Sequence, residues 1–568
     1  MSALRAFRPH PHFFRPTGTT MSRNHIPMRD ALSRDVPGDL SRRSMVIGGG
    51  AMVLGSTLAG QAMAQAAAAK GSTLRITLPE PVMLTGAFNS AGQIYLISGK
   101  MFDGLVTYGF DFKPKPQLAE SWNLSADGLA LTFKLRPGVK WHDGKPFTSA
   151  DLAYSAMSVW KVAHPRGRST YANLEKVDTP DPLTATLRFS KPAPYVMNAL
   201  AGVESQILPR HLYEGKDLLT NPLNAAPVGN GPYKFVEWQR GQFIALERNP
   251  DYWDKSKTLL DRIVVRIIPD PAGRSAAFES GELDVGGAIP VALADAKRLS
   301  GLPSLEIPEK GTEALATMAY IEFNVRKAPF NDVRVRRAIA HALNRDFMMK
   351  NIWYGFGRVS TGPISSDMVQ FYSKDVPSYK YDIEIAKKLL DEAGLKPGAD
   401  GIRFRMTHDP LPGGDHYRST GDYFRAAMQR IGIAVEVRNQ DFAGYYKRVY
   451  TDNDFDSTNF VAFNLTDPTL GVQRFYWSKN IQKGVVFSNG SGYSNPEVDK
   501  LLEAAQVEPD PVKRKAQFAQ FQKIVMTDLP NIPIGDINYF TLLNRRVQNL
   551  ITSPYGAHDN FAGVSVKG

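Results

Sequence analysis

Apolar and polar residues alternate with a period of two in several short segments of the first half of the chain. These segments are residues 73–78, 131–135, 183–189 and 263–267. Because successive side chains of a β-strand point to opposite faces of a sheet, each segment is predicted to form a strand with one buried face. Glycine-containing dipeptides such as Asp127-Gly128 lie between such segments and favour hairpin turns. The first half is therefore predicted to be rich in strands.

Helices are predicted where apolar residues recur at three- and four-residue spacing. One is expected after Asp332, whose side chain can accept hydrogen bonds from the first backbone N–H groups of a helix. Others are expected at residues 383–393, after Asn495, and after a capping box that starts at Thr148. Strands and helices alternate without a fixed repeat, which indicates an α/β or α+β protein.

The length of the chain predicts its division into units, and its charge bears on whether it binds nucleic acid. At 568 residues the chain exceeds what one hydrophobic core supports, so at least two large units are expected.

The formal net charge is +12. The first 64 residues contain eight arginines and three aspartates, a net charge of +5, so the rest carries +7. Basic residues there are interleaved with acidic ones rather than gathered on one segment, so no nucleic-acid partner is expected.

The motifs of common catalytic and metal sites are missing from the sequence. There are no cysteines and no His-Glu-x-x-His pair for zinc, no Gly-x-Ser-x-Gly nucleophile turn, and no Gly-Lys-Ser/Thr phosphate loop. Gly229-Asn230-Gly231 is interpreted as a tight turn before a strand. We therefore expect no catalytic residues, no metal ligands, no cofactor and no enzyme activity.

The N-terminal region has the three parts of an export signal. Arg42-Arg43 precede an apolar, glycine-rich stretch at residues 47–59, and Ala62-Met63-Ala64 offers small residues for cleavage. The paired arginines resemble the twin-arginine export signal. Residues 1–64 are predicted to be a cleaved signal peptide, with Met1, Met21 and Met28 left open as the start. With no cysteine for lipid attachment, the mature protein is expected to be periplasmic, soluble and not lipid-anchored.

A long series of motifs resembles one protein family. It begins with Met-Phe-Asp-Gly-Leu at residues 101–105, Gln-Leu-Ala-Glu-Ser-Trp at 117–122 and the segment 131–147, and it continues to Tyr-Ser-Asn-Pro-Glu-Val-Asp at 493–499. These segments resemble the extracellular solute-binding proteins of family 5, which include the dipeptide-, oligopeptide- and nickel-binding proteins of ABC importers. The resemblance spans nearly the whole mature chain.

The resemblance implies an α/β, two-lobed periplasmic-binding-protein fold of class II type, with an extra subdomain in the first lobe. Lobe I is expected to contain residues 70–315 and 531–568, and lobe II residues 316–530. A ligand would be enclosed between the lobes, so binding residues should come from both.

The resemblance also implies particular ligand-binding residues in the second lobe. Peptide-binding relatives place an acidic side chain four positions before a proline, and Pro468 puts Asn464 at that position. Because asparagine carries no charge to pair with an ammonium group, Asp467 is considered as its substitute. Counting back from the helix near residue 430 gives Arg418 as the partner of a ligand carboxylate.

Three further residues are predicted to contact the ligand. Phe88 and Asn89, in the loop after the first strand, would supply an aromatic wall and a hydrogen bond from the first lobe. Arg474, beside the aromatic residues 475–477, would add a positive or stacking contact.

These observations predict a periplasmic substrate-binding component of an ABC importer, acting as a monomer that delivers its ligand to a membrane permease. The expected ligand is a di- or oligopeptide or a peptide-like solute such as an opine or another amino-acid conjugate. An oligosaccharide and a nickel chelate remain alternative ligands, although no histidine cluster supports the latter. A secreted hydrolase of peptides or glycosides remains the alternative function.

Overall fold

The computed structural model of the protein describes residues 72–567. The predicted signal peptide at residues 1–64 lies outside this range. Within it, no helix is both long enough and apolar enough to cross a lipid bilayer.

Twenty-one strands are described between residues 72 and 567. They are β1 (Thr73–Leu78), β2 (Val106–Tyr108), β3 (Pro114–Pro116), β4 (Ala119–Leu124), β5 (Ala130–Leu135), β6 (Leu174–Asp181), β7 (Thr184–Phe189), β8 (Tyr233–Gln239), β9 (Phe243–Arg248), β10 (Arg262–Ile267), β11 (Val285–Gly286), β12 (Leu305–Glu306), β13 (Thr317–Phe323), β14 (Gly357–Val359), β15 (Phe404–Pro410), β16 (Ile433–Val437), β17 (Ser457–Phe463), β18 (Asn531–Ile537), β19 (Leu542–Asn544), β20 (Val547–Gln548) and β21 (Ser565–Val566).

Fourteen α-helices are described in the same range. They are α1 (Gly92–Ser98), α2 (Ser149–Tyr154), α3 (Gly167–Thr170), α4 (Arg210–Tyr213), α5 (Pro271–Glu279), α6 (Leu293–Leu299), α7 (Val333–Ala342), α8 (Arg345–Asn351), α9 (Ile383–Glu392), α10 (Asp415–Gln429), α11 (Phe442–Tyr446), α12 (Pro468–Gly471), α13 (Pro496–Val507) and α14 (Pro511–Asp528). The helices expected after Asp332 and Asn495 begin at Val333 and Pro496, and each expected cap accepts a backbone hydrogen bond.

A seven-stranded mixed sheet forms the centre of the first lobe, in the order β12-β19-β11-β1-β10-β9-β8. The alternating segment at residues 73–78 is β1, and it pairs in parallel with β10 and β11. Leu74 and Ile76 are fully buried in its core, as their alternation predicts. A four-stranded sheet, β4-β5-β7-β6, packs into the same core and corresponds to the extra subdomain implied by the resemblance.

A six-stranded sheet forms the second lobe, in the order β14-β18-β13-β17-β15-β16. All seven residues of β13 are buried. Ile321 and Phe323 belong to one apolar cluster, whereas Met318 and Tyr320 belong to another. Since alternate side chains point to opposite faces, helices cover both sides of this sheet.

The chain passes between the two sheets twice. Residues 307–316 connect β12 to β13, and residues 538–541 connect β18 back to β19. The two connections touch, since the Thr312 hydroxyl donates to Asn538 Oδ1 at 3.3 Å. The return was expected at residue 531, but β18 pairs with β13 in the second sheet. The pairing partner of β18 is distant in sequence, so no local signal indicates to which sheet this strand belongs.

Candidate functional site

A cavity of about 550 Å³ lies between the lobes. The first lobe contributes residues of 271–294, and the second contributes residues of 351–354 and 410–419 together with Asn439 and Gln440. Small-molecule sites in proteins commonly have volumes of about 300 to 1,000 Å³. This cavity is large enough for a ligand that touches both lobes at once.

A second cavity of about 250 Å³ extends the first one deeper between the sheets. Both are lined by Arg274, Ile289, Gly413 and His416, so they form one continuous space that we call the cleft. The deeper part is bounded by the end of β1 and by α1 from the first lobe. From the second lobe it is bounded by aromatic residues, namely Tyr417, Phe463 and Tyr539.

Arg274 is a charged residue of the cleft whose side chain is held by backbone carbonyl groups. It lies on α5, which begins after Asp270, whose carboxylate accepts from Gly273 N at 2.7 Å. The Arg274 side chain donates to the carbonyl oxygens of Ile268 and Pro269 at 2.6 and 2.8 Å, and also to that of Pro290. Burial lowers its pKa, and the nearby Asp270 charge partly offsets this effect. Since these acceptors are neutral carbonyls, the positive charge of Arg274 remains available to a ligand.

His416 and Tyr417 form an aromatic wall at the start of α10. The His416 ring lies 4.7 Å from the Trp353 ring and 4.2 Å from the Tyr417 ring, measured between centroids. Burial lowers the pKa of His416 to about 4, although the Asp415 charge acts in the opposite direction. At neutral pH the ring is therefore uncharged and offers stacking and a hydrogen bond rather than a positive charge.

Of the six predicted ligand residues, only Arg418 lines the cleft. It is exposed and lies in the first turn of α10, which begins at Asp415. It forms no ion pair with any carboxylate among residues 72–567, so its guanidinium can meet a ligand anion entering the cavity.

Phe88 and Asn89 lie away from the walls of the cleft. Phe88 is buried in the first-lobe core, with its ring centroid 6.3 Å from that of Tyr213. The Asn89 side chain accepts from Ala91 N at 3.0 Å and so shapes the turn before α1. In this structure both residues support the backbone that precedes the cleft-lining helix α1.

Asn464 is fully buried at the end of β17. Its amide nitrogen donates to the carbonyl oxygen of Pro363 at 2.9 Å, and its amide oxygen accepts from the Tyr320 hydroxyl at 3.2 Å. These bonds engage both ends of the side chain within the second lobe.

Asp467 is also fully buried, and it lies where the lobes touch. Its two carboxylate oxygens accept from the Arg514 guanidinium at 2.7 Å each, and one also caps α12 by accepting from Thr469 N at 2.9 Å. From the first lobe, Asn198 Nδ2 donates to the same carboxylate at 3.2 Å. The Thr466 hydroxyl donates to the carbonyl oxygen of Asn198 at 2.9 Å. This group, which we call the lobe contact, joins the two lobes directly.

Arg474 lies close to the lobe contact. Its Nε donates to the carbonyl oxygen of Gly471 at 3.2 Å, and its guanidinium carbon lies 4.7 Å from the centre of the Phe475 ring. Burial, together with the charge of Arg166, lowers the pKa of Arg474 to about 10, while Glu204 acts in the opposite direction. The guanidinium therefore sits within electrostatic reach of both first-lobe residues.

Sequence reasoning did not identify Arg274, His416 or Tyr539 as cleft residues. Arg274 carried one usable signal, because it lies three and four positions before the buried Ala277 and Phe278 and hence on the buried face of its helix. His416 and Tyr539 follow turns whose position depends on distant strand pairing, so no local pattern indicates them.

The cleft offers shape, aromatic surface and hydrogen-bonding groups for binding. Across residues 72–567 there is no group of three or more histidine, aspartate or glutamate side chains that could hold a metal ion.

Comparison with known proteins agrees with this arrangement. Residues 113–484 match the family described as bacterial extracellular solute-binding proteins, family 5 Middle. Heme-binding protein A of Haemophilus influenzae is 30% identical over 489 residues, which cover 80% of this chain and 84% of that protein. The chain belongs to this family.

Two solved structures extend the family relationship to three dimensions. The oligopeptide-binding protein AppA of Bacillus subtilis, in complex with a nonapeptide, is 26% identical with a TM-score of 0.74, covering 88% of this chain and 99% of that one. AgaA from A. tumefacien R10, in complex with agropinic acid, is 25% identical with a TM-score of 0.71, covering 87% and 100%. The predicted α/β, two-lobed solute-binding fold is thereby confirmed, and the chain is a solute-binding protein of family 5.

Proposed function

We propose that the protein captures a peptide-like solute in the cleft and delivers it, unaltered, to an ABC permease. The observation that carries this proposal is the cavity of about 550 Å³ walled by both lobes. A ligand that contacts both walls stabilises the closed arrangement, because it binds that state more tightly than an open one.

The ligand class is supported by the family and by the lining of the cleft. The AppA structure contains a nonapeptide and the AgaA structure contains agropinic acid. Here the aromatic residues His416, Tyr417 and Tyr539 can pack against side chains or rings of a ligand. Arg274 and Arg418 can pair with a ligand carboxylate. We therefore propose a di- or oligopeptide, or an amino-acid conjugate, as the ligand.

The division into lobes and the mechanism of closure belong to the same proposal. We propose that residues 316–537 form the second lobe and that the preceding and following residues form the first. Rotation about residues 307–316 and 538–541 would separate the cleft walls, and the lobe contact around Asn198 and Asp467 would then break.

A cellular setting belongs to the same proposal. The twin-arginine-like segment and the family description support export to a periplasm. We propose that the mature protein acts there as a free monomer, without a lipid anchor and without enzyme activity.

The proposal is tested by identifying what the purified protein carries. The protein is denatured and the released small molecules are determined by mass spectrometry. The ligand-free protein is then titrated with defined di- and tripeptides in a thermal-shift assay, and the peptides are recovered afterwards. We expect a rise in the unfolding temperature with the peptide intact, as mass action requires for a ligand that binds the folded state.

A matched variant links such binding to the cleft. Arg418→Met removes an exposed cleft charge, whereas Arg425→Met removes an exposed arginine of the same helix that pairs with Asp422. Weaker binding in the first variant only would support the site. Hydrolysis of the peptides would show that the protein is instead a secreted hydrolase. Release of an oligosaccharide or a nickel complex from the denatured protein would show that its ligand is not a peptide.

A further inference from the structure

The inner cavity of the cleft, which we call the deep chamber, has mainly apolar walls from both lobes. The first lobe contributes aliphatic side chains and the second lobe contributes rings, namely Leu78, Leu96 and Ile289 on one side and Tyr417, Phe463 and Tyr539 on the other. Leu78 ends β1 and Leu96 lies within α1, and both are almost fully buried. The Phe463 and Tyr539 rings meet edge to face, with centroids 5.6 Å apart. Packed secondary structure therefore holds these walls in place.

The charges of the deep chamber leave no partner for a cation. Among residues 72–567, no aspartate or glutamate lines it. Its ionised side chain is Arg274, which donates to three backbone carbonyl groups. His416 is neutral, because burial lowers its pKa to about 4. An ammonium group placed here would lose its hydration and meet a guanidinium instead of a carboxylate.

The volume of the deep chamber fits a ring better than a small side chain. An apolar cavity of about 150 Å³ can hold benzene, so a space of about 250 Å³ has room for an aromatic side chain, including the two rings of an indole. Rings pack well edge to face or offset against other rings, and the second-lobe wall offers such surfaces. A methyl group would leave most of this wall without contacts.

The outer cavity, of about 550 Å³, has a different character. Its walls include charged and amide side chains, namely Asn351, Asp415, Arg418, Asn439 and Gln440. The backbone and charged ends of a peptide can form hydrogen bonds and ion pairs with these groups, whereas apolar surface gains more from burial in the deep chamber. Arg274 lines both cavities and so marks the border between them. The cleft thus orients a ligand with its polar backbone outside and one side chain inside.

From this arrangement we propose that the deep chamber is a specificity pocket, which accepts one aromatic side chain of the solute and rejects a cationic one. This inference rests on the proposed function and specifies which side chain the peptide-like ligand carries at one position. Because both lobes supply walls, a ring in the chamber contacts both and favours the closed state. Full burial of an aromatic side chain should raise the affinity roughly ten- to a hundredfold over a methyl group.

The test varies one side chain of the ligand at a time. Isothermal titration calorimetry is performed on the ligand-free protein with two series of dipeptides. One residue is alanine, and the other is alanine, methionine, lysine, phenylalanine or tryptophan, placed first in one series and second in the other. In at least one series we expect phenylalanine or tryptophan to bind roughly ten- to a hundredfold more tightly than alanine. Methionine and lysine have unbranched side chains, and we expect lysine to bind at least about tenfold more weakly than methionine.

Gly92 allows the deep chamber to be filled from its own wall. It is the first residue of α1, it lines the chamber, and a Cβ placed on it has open space around it. Gly92→Leu should therefore remove most of the aromatic preference while the alanine peptide still binds, and Gly92→Ala should remove less. The control Ala126→Leu adds a leucine at an exposed position between β4 and β5 and should leave the preference unchanged.

A second variant supplies the missing negative charge. Gln93 lines the deep chamber, and Gln93→Glu introduces a carboxylate of nearly the same shape. We expect the lysine peptide to gain affinity relative to the methionine peptide, because its ammonium group then has a partner. This gain does not depend on whether the filled variant folds.

The outcomes separate this inference from the function on which it rests. If the peptides bind but the side chain makes no difference, or if the aromatic preference survives in a folded Gly92→Leu, the inference is overturned and the proposed function stands. The same conclusion follows if lysine binds as tightly as methionine in the unmodified protein, or if Gln93→Glu does not favour lysine. If no peptide binds, the proposed ligand class is refuted and the inference with it.

Discussion

The role of Asp467 can be tested directly. In the structure its carboxylate pairs with Arg514, whereas the sequence suggested that it binds the ligand. Its carboxylate accepts two hydrogen bonds of 2.7 Å from Arg514, and the two side chains are 0% and 6% exposed. In Asp467→Asn the amide can accept one of these bonds but supplies no charge. Arg514 keeps its bonds to the Ala505 carbonyl and the Thr469 hydroxyl, each at 2.8 Å.

The expected cost follows from these contacts. Removing one partner of a buried ion pair costs about 3–5 kcal/mol, because the remaining charge is left buried and unpaired. Since Arg514 retains two neutral acceptors, we expect a loss at the lower end of this range, so that the free energy of unfolding falls by about 3 kcal/mol. For a unit of about 150–250 residues this corresponds to a fall of roughly 6–12 °C in the unfolding temperature.

The assay is thermal and urea unfolding of the ligand-free protein, followed by circular dichroism. Asp422→Asn serves as the control, since its ion pair with Arg425 is exposed and should contribute less than about 0.5 kcal/mol. In the double variant with Arg514→Met, the losses should be far from additive, because both changes break the same pair. A loss below about 1 kcal/mol in Asp467→Asn, accompanied by loss of ligand binding, would refute the structural role and restore the role in ligand binding.

Three further predictions concern other parts of the molecule. Asn198→Ala removes a hydrogen bond between the lobes to Asp467 and should weaken ligand binding about two- to tenfold in calorimetry with little loss of stability; unchanged affinity would contradict this. Burial raises the pKa of Glu322 to about 8 from 4.5, despite the opposing Arg326 charge. The folded state therefore binds the additional proton, and stability should fall as pH rises from about 4.5 to 8. In urea unfolding, the free energy of unfolding of Glu322→Gln should not show this fall with pH. If it changes with pH in the same way in the variant and in the unmodified protein, Glu322 is not the cause. Gly104→Ala should cost about 1–3 kcal/mol, because its Cβ would lie 2.3 Å from a backbone nitrogen, whereas Gly92→Ala has open space and should not destabilise.

Local patterns predicted individual elements well, because their causes lie within a few residues. Alternation located β1 at its observed bounds, and the capping side chains of Asp332 and Asn495 located the starts of two helices. The motif series predicted the family and the two-lobed fold, which the comparisons confirm. The sequence placed residue 531 at the return to the first lobe, whereas β18 pairs with β13, more than 200 residues earlier, which no local pattern could indicate.

The site was less predictable, because its geometry depends on contacts between segments far apart in sequence. Nothing near Asp467 indicates that Arg514 neutralises it, and nothing near Arg474 indicates that the charges of Arg166 and Glu204 act on its pKa. Arg418 was selected by its distance from a helix end, and it lies on the wall of the cleft. The roles of all six predicted residues in ligand binding stay predictions, namely those of Phe88, Asn89, Arg418, Asn464, Asp467 and Arg474.

The position of β19 has a consequence for biosynthesis. This strand lies between β12 and β11 in the first sheet, and the buried Lys100 ammonium donates to the carbonyl oxygens of Ala557 and Asp559. A nascent chain lacks these residues until they have left the ribosomal tunnel, so its N-terminal half cannot reach its native arrangement before then. The second lobe, whose six strands are contiguous in sequence, is free to fold earlier, and completion of the first lobe waits until residues 542–559 have emerged.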